Sequence, residues 1–310
     1  MAEKIICVVG PTACGKTKLG VLLAKRYDGE VVSADSMQIY KGMTIGTAAP
    51  TAEEMEGVPH HMIAVADPAE QWSAARYARA AVPIVDDILR RGKRPILVGG
   101  TGLWLDAVVQ GRTFAGGAVR RELQAQLARE GIGPLLEELR QVDPEAAERL
   151  HPADEKRILR ALEVYRETGK TISAHNAETR DLPPRYDAVW IGLQFRDRAD
   201  MKTLIDRRVD AMVAAGLLEE VGQLLESGLP REATALQAIG YKEFLGVLDG
   251  TATVEEAVAE VKLRSRQYAK RQLTWLRRNP DIHWIWWEKD RDFARALQVS
   301  TEILAAAGVF

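Results

Sequence analysis

The chain has 310 residues, with 42 Lys plus Arg against 44 Asp plus Glu and a net charge of −2. No apolar run approaches the about 18 residues that a membrane-spanning helix needs, which excludes an integral helical membrane protein. Its two cysteines, Cys7 and Cys14, fit neither a disulfide framework nor a zinc site, so both are expected as free thiols in a globular chain of one large domain or two.

Met1-Ala2-Glu3-Lys4 leads directly into the first strand, without room for a signal or transit peptide, so a cytoplasmic location is expected. Ile5 to Val9 reads as a buried strand and Lys18 to Tyr27 as a helix. Between them stands Gly10-Pro11-Thr12-Ala13-Cys14-Gly15-Lys16-Thr17, a G-x-x-x-x-G-K-T phosphate loop in its strand-loop-helix setting. Glycines let the backbone curl so that successive N–H groups point inward, and the following helix turns its positive end to the same spot. Lys16 brings a mobile charge to the outer phosphates, and the Thr17 hydroxyl can ligate Mg²⁺. The pattern specifies a polyphosphate, not which one.

Glu30 to Asp35 reads as a short buried strand that delivers an aspartate at its C-terminal end, where parallel strands place function. Ser36-Met37-Gln38-Ile39-Tyr40 and the loop from Gly42 to Pro50 read as binding surface. His60 and His61 suggest a metal, but neighbouring side chains on a strand point apart and no further ligands are spaced to help, so packing or local hydrogen bonding is the preferred reading. Ser73 caps a helix with apolar positions Ala75, Tyr77, Ala81, Ile84, Val85, Ile88 and Leu89, ending at Gly92. Arg94 to Gly102 is a third strand and tight turn, followed by a helix from Leu103 to Val109. A nucleotide hydrolase commonly ends such a strand in aspartate; here Gly99-Gly100-Thr101-Gly102 offers close backbone approach and an uncharged hydroxyl.

From about Gly111 to Tyr186 strand signals give way to helical periodicity, with Leu123, Leu127, Leu135, Leu136 and Leu139 on apolar faces. Lys156 and Arg160 lie four apart there, with Arg157 beside them, either a solvated face or a binding one. A strand returns at Ala188 to Phe195. Leu204 to Leu225 reads as a helix interrupted at Gly216 and carrying Arg207 and Arg208. Lys262 to Arg278 holds Lys262, Arg264, Arg266, Lys270, Arg271, Arg277 and Arg278 with no acidic residue, interleaved with Tyr268 and Trp275. That pattern suits an RNA backbone and unstacked bases, and is preferred over a solvated helix above core aromatics. His283 to Trp287 is a final strand, read as core, and Asp292 to Ala307 a closing helix. The expected fold class is α/β: a P-loop-type parallel sheet flanked by helices over 1–111 and 187–310, with an all-helical insertion over 112–186.

These stretches together resemble the tRNA dimethylallyltransferases, also called tRNA isopentenyltransferases, from Ile5 to about Arg278. The resemblance is carried by Gly10 to Thr17, Ser33 to Tyr40, Ile45-Gly46-Thr47-Ala48, Pro59-His60-His61 and Pro95 to Leu105. Further blocks are Arg157 to Glu163 with Thr168-Gly169, Gln237 to Glu243, and Arg266 to Gln272. It implies transfer of a dimethylallyl group from dimethylallyl diphosphate to N6 of the adenosine immediately 3′ of the anticodon, assisted by Mg²⁺. On that basis the phosphate loop holds a leaving diphosphate, with Lys16, Mg²⁺ on Thr17, and Arg208, four residues before Met212, stabilising its growing charge. Asp35 is the expected base near N6, and Thr101 orients the reacting groups. Gln38 would read the neighbouring adenine through its amide edge, with Ser36 and Met37 beside it.

By the same resemblance, Lys156, Arg157, Arg160 and one of Arg120 and Arg121, with Arg120 preferred, contact tRNA from the insertion. Gln237, Gly240, Tyr241 and Lys242, then Lys270, Arg271, Gln272, Trp275 and Arg277, contact it from the core. The expected partners are the tRNA anticodon stem-loop and dimethylallyl diphosphate, with no membrane and no obligate protein partner; a monomer is expected. Two departures stand out. Cys14 replaces a usual serine, which would make the loop oxidisable if Lys16 stabilises its thiolate. The zinc-finger extension of some eukaryotic relatives is absent. A small-molecule or nucleoside kinase, a free-nucleotide prenyltransferase and an RNA-binding protein with an inactive phosphate loop are the competing readings.

Overall fold

The computed structural model describes residues 3–111, 119–180 and 183–310. β1 (Lys4–Val9) has the run Ile5 to Val9 fully buried, as expected of a strand covered on both faces. It is followed by α1 (Lys16–Arg26), β2 (Gly29–Ala34), the short α2 (Ala52–Met55), β3 (His60–His61), α3 (Ala74–Arg90), β4 (Arg94–Gly99) and α4 (Gly102–Val109). The strand expected as third is thus the fourth, because His60 and His61 themselves pair with Val31 and Val32 at the edge of the sheet.

Gln110–Pro184 forms a compact unit of its own. It contains α5 (Arg120–Glu130), α6 (Ile132–Val142), α7 (Pro144–Arg149), α8 (Glu155–Thr168) and α9 (Ile172–Arg180). Leu135 and Leu139 of α6, and Ile158 and Leu162 of α8, each pair four residues apart and so on one helix face, close its core with Leu123 of α5. Asp143 ties two helices together: its side chain caps Ala146 N of α7 at 3.1 Å and accepts from Ser173 N of α9 at 3.0 Å. Glu163 is buried between the guanidinium groups of Arg120, at 3.2 Å, and Arg160, at 2.9 Å.

Met1–Val109 and Arg185–Phe310 make the other unit. After β5 (Asp187–Phe195) come α10 (Arg198–Ala214), α11 (Leu217–Glu226), a 3₁₀ turn at Ala235–Gln237, α12 (Lys242–Leu248), α13 (Val254–Leu276), β6 (Ile282–Trp287) and α14 (Phe293–Ala306). The stretch expected as one interrupted helix is two, because Gly216 takes φ 97° and starts α11 on a new axis.

The six strands run parallel in the order β3-β2-β4-β1-β5-β6. Ile6, Val8, Val31, Ile96 and Val98 pack with Leu19 and Leu23 of α1 and Ala296 and Leu304 of α14. The alternate residues Ile5, Cys7, Val32 and Leu97 are just as buried and point to the other face. There Tyr77 of α3 stacks on Trp104 of α4 at 4.2 Å, and its hydroxyl donates to the Ser33 carbonyl at 2.8 Å. The chain leaves β1 for β2 on one side and β4 for β5 on the other, so the C-terminal ends of β1, β2 and β4 open side by side onto one crevice.

At the opposite end of β2, Glu30 is 4% exposed and binds Arg91 through both oxygens, at 2.5 and 2.9 Å, with His61 Nε2 at 2.8 Å. Hydrogen bonding to the Arg91 guanidinium, aided by His61 and opposed by burial, holds the Glu30 carboxyl down at about 2. His60 faces the Val58 carbonyl instead, so the two imidazoles serve separate partners. Among the described residues no group of three or more His, Cys, Asp or Glu could hold a metal. Because the folded carboxyl titrates below its unfolded value, its stabilisation is present above about pH 5 and is lost as pH falls toward 2, amounting to about 3 kcal/mol. Urea midpoints measured from pH 7 to pH 3 should show this loss in the wild type, and Glu30→Gln should be less stable at pH 7 with a flatter profile.

Candidate active site

The phosphate loop leaves β1 at Gly10, φ 152°, and turns twice more through positive φ, at Ala13 (64°) and Gly15 (91°), before α1 starts at Lys16. At Gly10 a Cβ would collide with the Leu193 carbonyl of β5, so glycine is required by space as well as by φ. The curl is braced from distant parts of the chain. Thr12 N donates to Gln272 Oε1 of α13 at 2.9 Å, and Arg208 of α10 donates to Thr12 Oγ1 at 3.1 Å. Trp287 Nε1 of β6 donates to the Cys14 carbonyl at 2.8 Å, and Lys16 Nζ to the Pro11 carbonyl at 2.8 Å.

A cavity of about 860 Å³ opens over this loop, lined by Thr12, Ala13, Gly15, Lys16 and Thr17 together with Arg207 and Arg208. Burial pulls the Lys16 amine and the Arg208 guanidinium below their ordinary values, the nearby Asp35 charge opposing this at both. Two desolvated cations beside a helix N-terminus with no acidic residue in its first turn make a strong anion site. Burial pushes the Cys14 thiol up, and Lys16 does not offset it; the side chain is 0% exposed. The expectation of an oxidisable thiolate is therefore corrected: Cys14 is a neutral core group.

Asp35 emerges from the end of β2 and lines both this cavity and a second one of about 270 Å³. Its Oδ1 accepts from Met37 N at 2.9 Å and Gln38 N at 3.4 Å, an Asx turn that orients the carboxylate. Oδ2 has no protein hydrogen-bond partner among the described residues, leaving it able to take a proton. Thr101, at the end of β4, accepts from Ser36 N at 3.1 Å and lies 3.4 Å from Ser36 Oγ. Tyr268 of α13 stands between the two cavities; burial raises its phenol to about 12, the Asp35 charge adding to this and Thr101 and Gln272 opposing it. The smaller cavity has an apolar wall of Ile205, Val209, Met212, Ala238, Ile239 and Val261, while Arg208, Gln237, Ser265 and Arg271 contribute polar groups to its lining. A cationic cavity over the phosphate loop thus adjoins a smaller one with an apolar wall, and a carboxylate stands at their junction.

The remaining expected contacts divide by exposure. Lys270 and Arg271 of α13 are exposed, Arg271 lying over the Tyr268 ring at 5.7 Å. Arg277 is exposed with Nη2 3.4 Å from Gln194 Oε1. Trp275 is half-buried against Gly102, whose lack of a Cβ makes room for the indole. Gln237 and Lys242 are exposed, while Gly240 is buried at φ 98° with its N–H donating to Glu243 at 2.8 Å. In the helical unit Lys156 and Arg157 are exposed, Arg160 and Arg120 hold Glu163, and Arg121 is exposed.

Three expectations need correction. Tyr241 is 0% exposed and donates to Glu220 at 2.6 Å, so its side chain is no surface contact. Gln272 is 5% exposed, its amide shared between Thr12 N and the Gly100 carbonyl at 3.2 Å, so it supports the phosphate loop from below. The unbroken basic run is not wholly free either, because α10 and the preceding turn of α13 supply partners: Lys262 to Asp210 at 2.5 Å, Arg266 to Asp206 at 2.6 Å and Arg264 to Glu260 at 2.6 Å. Gln38 has its amide engaged, donating to the Thr47 and Ala48 carbonyls at 3.3 and 3.2 Å and accepting from Ser33 Oγ at 3.1 Å.

A family model described as IPP transferase matches residues 38–279. A tRNA dimethylallyltransferase of Caldanaerobacter subterraneus subsp. tengcongensis is 46% identical over 310 residues, covering 98% of each chain. The crystal structure of the full-length tRNA isopentenylpyrophosphate transferase of Bacillus halodurans superposes with a TM-score of 0.74 at 43% identity, over 98% of this chain and 96% of that one. A eukaryotic dimethylallyltransferase captured in crystallographic snapshots acting on tRNA gives a TM-score of 0.85 at 31% identity, over 98% of this chain and 80% of that one.

Within the matched segment, sequence reasoning missed Glu220, because nothing in its helical surroundings marks it as buried. Its carboxylate accepts from Thr44 N at 2.8 Å, Ile45 N at 2.8 Å, Gly46 N at 3.0 Å and Thr44 Oγ1 at 3.0 Å, besides Tyr241. Burial alone would push this carboxyl up, but the three loop amides and the phenol outweigh it and hold it below the ordinary carboxylate range. Glu220 thereby anchors the loop of Gly46 and Thr47, which walls the site and carries the carbonyls that Gln38 grips. Glu220→Gln should lower unfolding free energy by about 3 kcal/mol in chemical denaturation at pH 7, since buried amides lose an ionised acceptor.

Proposed function

The chain belongs to the tRNA dimethylallyltransferase family of prenyl-transferring enzymes, and on that premise we propose that it moves a dimethylallyl group from dimethylallyl diphosphate to N6 of the adenosine immediately 3′ of the tRNA anticodon. The observation that carries this reading is the junction at Asp35, where a cationic phosphate cradle meets a cavity of about 270 Å³ that has one apolar wall, from Ile205, Val209, Met212, Ile239 and Val261. A diphosphate ester with a short branched hydrocarbon presents that combination of charge and apolar bulk.

In the proposed reaction the bond between the allylic carbon and the diphosphate oxygen breaks as N6 bonds to that carbon. The electron pair stays with the diphosphate, where the loop amides, Lys16 and Arg208 stabilise the charge. The exocyclic amine is a weak nucleophile because its lone pair is delocalised into the ring. Its surplus proton goes to Asp35, whose Oδ1 is fixed by two backbone amides. Thr101 holds the donor and acceptor groups in register, its own oxygen set by Ser36 N. The adenine leaves its stack to reach this depth, at a cost of roughly a few kcal/mol.

The donor set suits Mg²⁺ as a companion of the substrate. Thr17 offers one hydroxyl at the cradle, and Mg²⁺ commonly takes one or two protein oxygens and fills its octahedron with water and phosphate oxygens. Bound there, it would neutralise charge on the diphosphate. Exposed Lys270, Arg271 and Arg277 supply phosphate contacts for the tRNA on the catalytic unit, and Lys156 and Arg157 on the helical unit.

Incubating the protein with Mg²⁺, labelled dimethylallyl diphosphate and undermodified tRNA should place the label in tRNA and not in AMP. Label in AMP alone, or γ-phosphate transfer from ATP without prenyl transfer, would overturn the assignment. Asp35→Asn should slow transfer by about 10²- to 10⁴-fold while pyrophosphate and tRNA affinities hold. Lys270→Ala should weaken tRNA binding and reduce its salt slope by about one unit.

A further inference from the structure

The connection from β6 to α14 lies beyond the segment matched by the family model, yet it touches three consecutive residues of the phosphate loop. Trp287 donates to the Cys14 carbonyl at 2.8 Å. Arg291 Nη1 lies 3.4 Å from the Ala13 carbonyl, and the Phe293 ring sits where a Cβ on Gly15 would come within 2.7 Å of it. Trp287 and Phe293 meet edge to face at 5.3 Å, and the Arg291 guanidinium lies over the Phe293 ring at 5.8 Å. The two rings form a rigid floor on which Arg291 is carried to the loop.

Arg291 lines the same cavity of about 860 Å³ as Lys16 and Arg208. Arg291 has no acidic partner within 4.0 Å among the described residues, although Asp290 and Asp292 flank it in sequence; Asp292 caps α14 at Arg295 N instead. The side chain is exposed, with its guanidinium over the Phe293 ring and no acidic partner among the described residues; a cation so held at the rim of the phosphate loop is placed to bind an anion. Its charge is felt at both Cys14 and Arg208, which puts it on the cradle's own scale of distance.

We propose that Arg291 is a further diphosphate-binding residue: it approaches the donor from the Ala13 side and adds a cation to those of Lys16 and Arg208. The assignment rests on the diphosphate-ester reading of the site. Because the guanidinium reaches a loop that only the leaving group occupies, its effect falls on the donor and not on the tRNA. It also makes the C-terminal connection part of the donor site.

Calorimetric titration of the full chain with inorganic pyrophosphate in Mg²⁺ tests this with two variants. Arg291→Gln keeps a polar side chain but lacks the charge, and Arg291→Lys keeps the charge. Pyrophosphate affinity should fall about tenfold in Arg291→Gln and by no more than about threefold in Arg291→Lys. The KM for dimethylallyl diphosphate should rise in parallel while the KM for tRNA and the melting temperature hold. Arg291→Gln binding like the wild type, or both variants weakened equally, overturns the assignment. Wild-type binding of pyrophosphate with no prenyl transfer would overturn the transferase reading instead, and the titration would still decide the role of Arg291.

Discussion

A phosphate loop has to hold its amides pointing inward against the tendency of a flexible, glycine-bearing segment to relax. In this chain the restraint comes from outside the loop. Gln272, Arg208 and Trp287 stand on two helices and a strand that follow the loop by some two hundred residues or more, and each fixes one loop group. The sheet explains why this is possible. With β1 flanked by β4 and β5, and β6 beyond, later segments pass the C-terminal end of the first strand and can reach the loop at short range.

The same restraint organises the chemistry. Arg208 braces Thr12 and also supplies a cation to the cavity, and Gln272 braces Thr12 while reaching the Gly100 carbonyl beside Thr101, so the phosphate loop and the Asp35–Thr101 corner share their supports. On the opposite wall Glu220 gathers three consecutive amides and a phenol, an arrangement that a neutral side chain could not satisfy. A buried carboxylate in this setting carries its own desolvation cost, and the loop amides offset it. Positioning of the reacting groups is thus tied to the stability of the catalytic unit.

Charge accounts for where the one-dimensional reading overshot. The run from Lys262 to Arg278 is free of acids along the chain, yet α10 lies beside it and brings Asp206 and Asp210 to Arg266 and Lys262. What remains exposed is the C-terminal part, Lys270, Arg271, Arg277 and Arg278. Tyr241, by contrast, belongs to a block that resembles a binding motif, but its ring faces inward to Glu220. Motif membership places a residue near a site; side-chain direction decides whether it touches the ligand or holds the wall.

Period and local chemistry in the sequence by themselves determined much: the buried strands of a parallel sheet, the helical stretch between its halves, the phosphate loop, and the aspartate and threonine at neighbouring strand ends. Those features depend on residues close in the chain, where alternation, capping and glycine placement act directly. Only the tertiary structure decided that Cys14 is a neutral core group, that Gln272 and Gln38 have their amides engaged, and that Glu220 and Arg291 belong to the site at all. Each of these depends on partners far away in sequence, and burial and charge pairing are properties of the assembled neighbourhood.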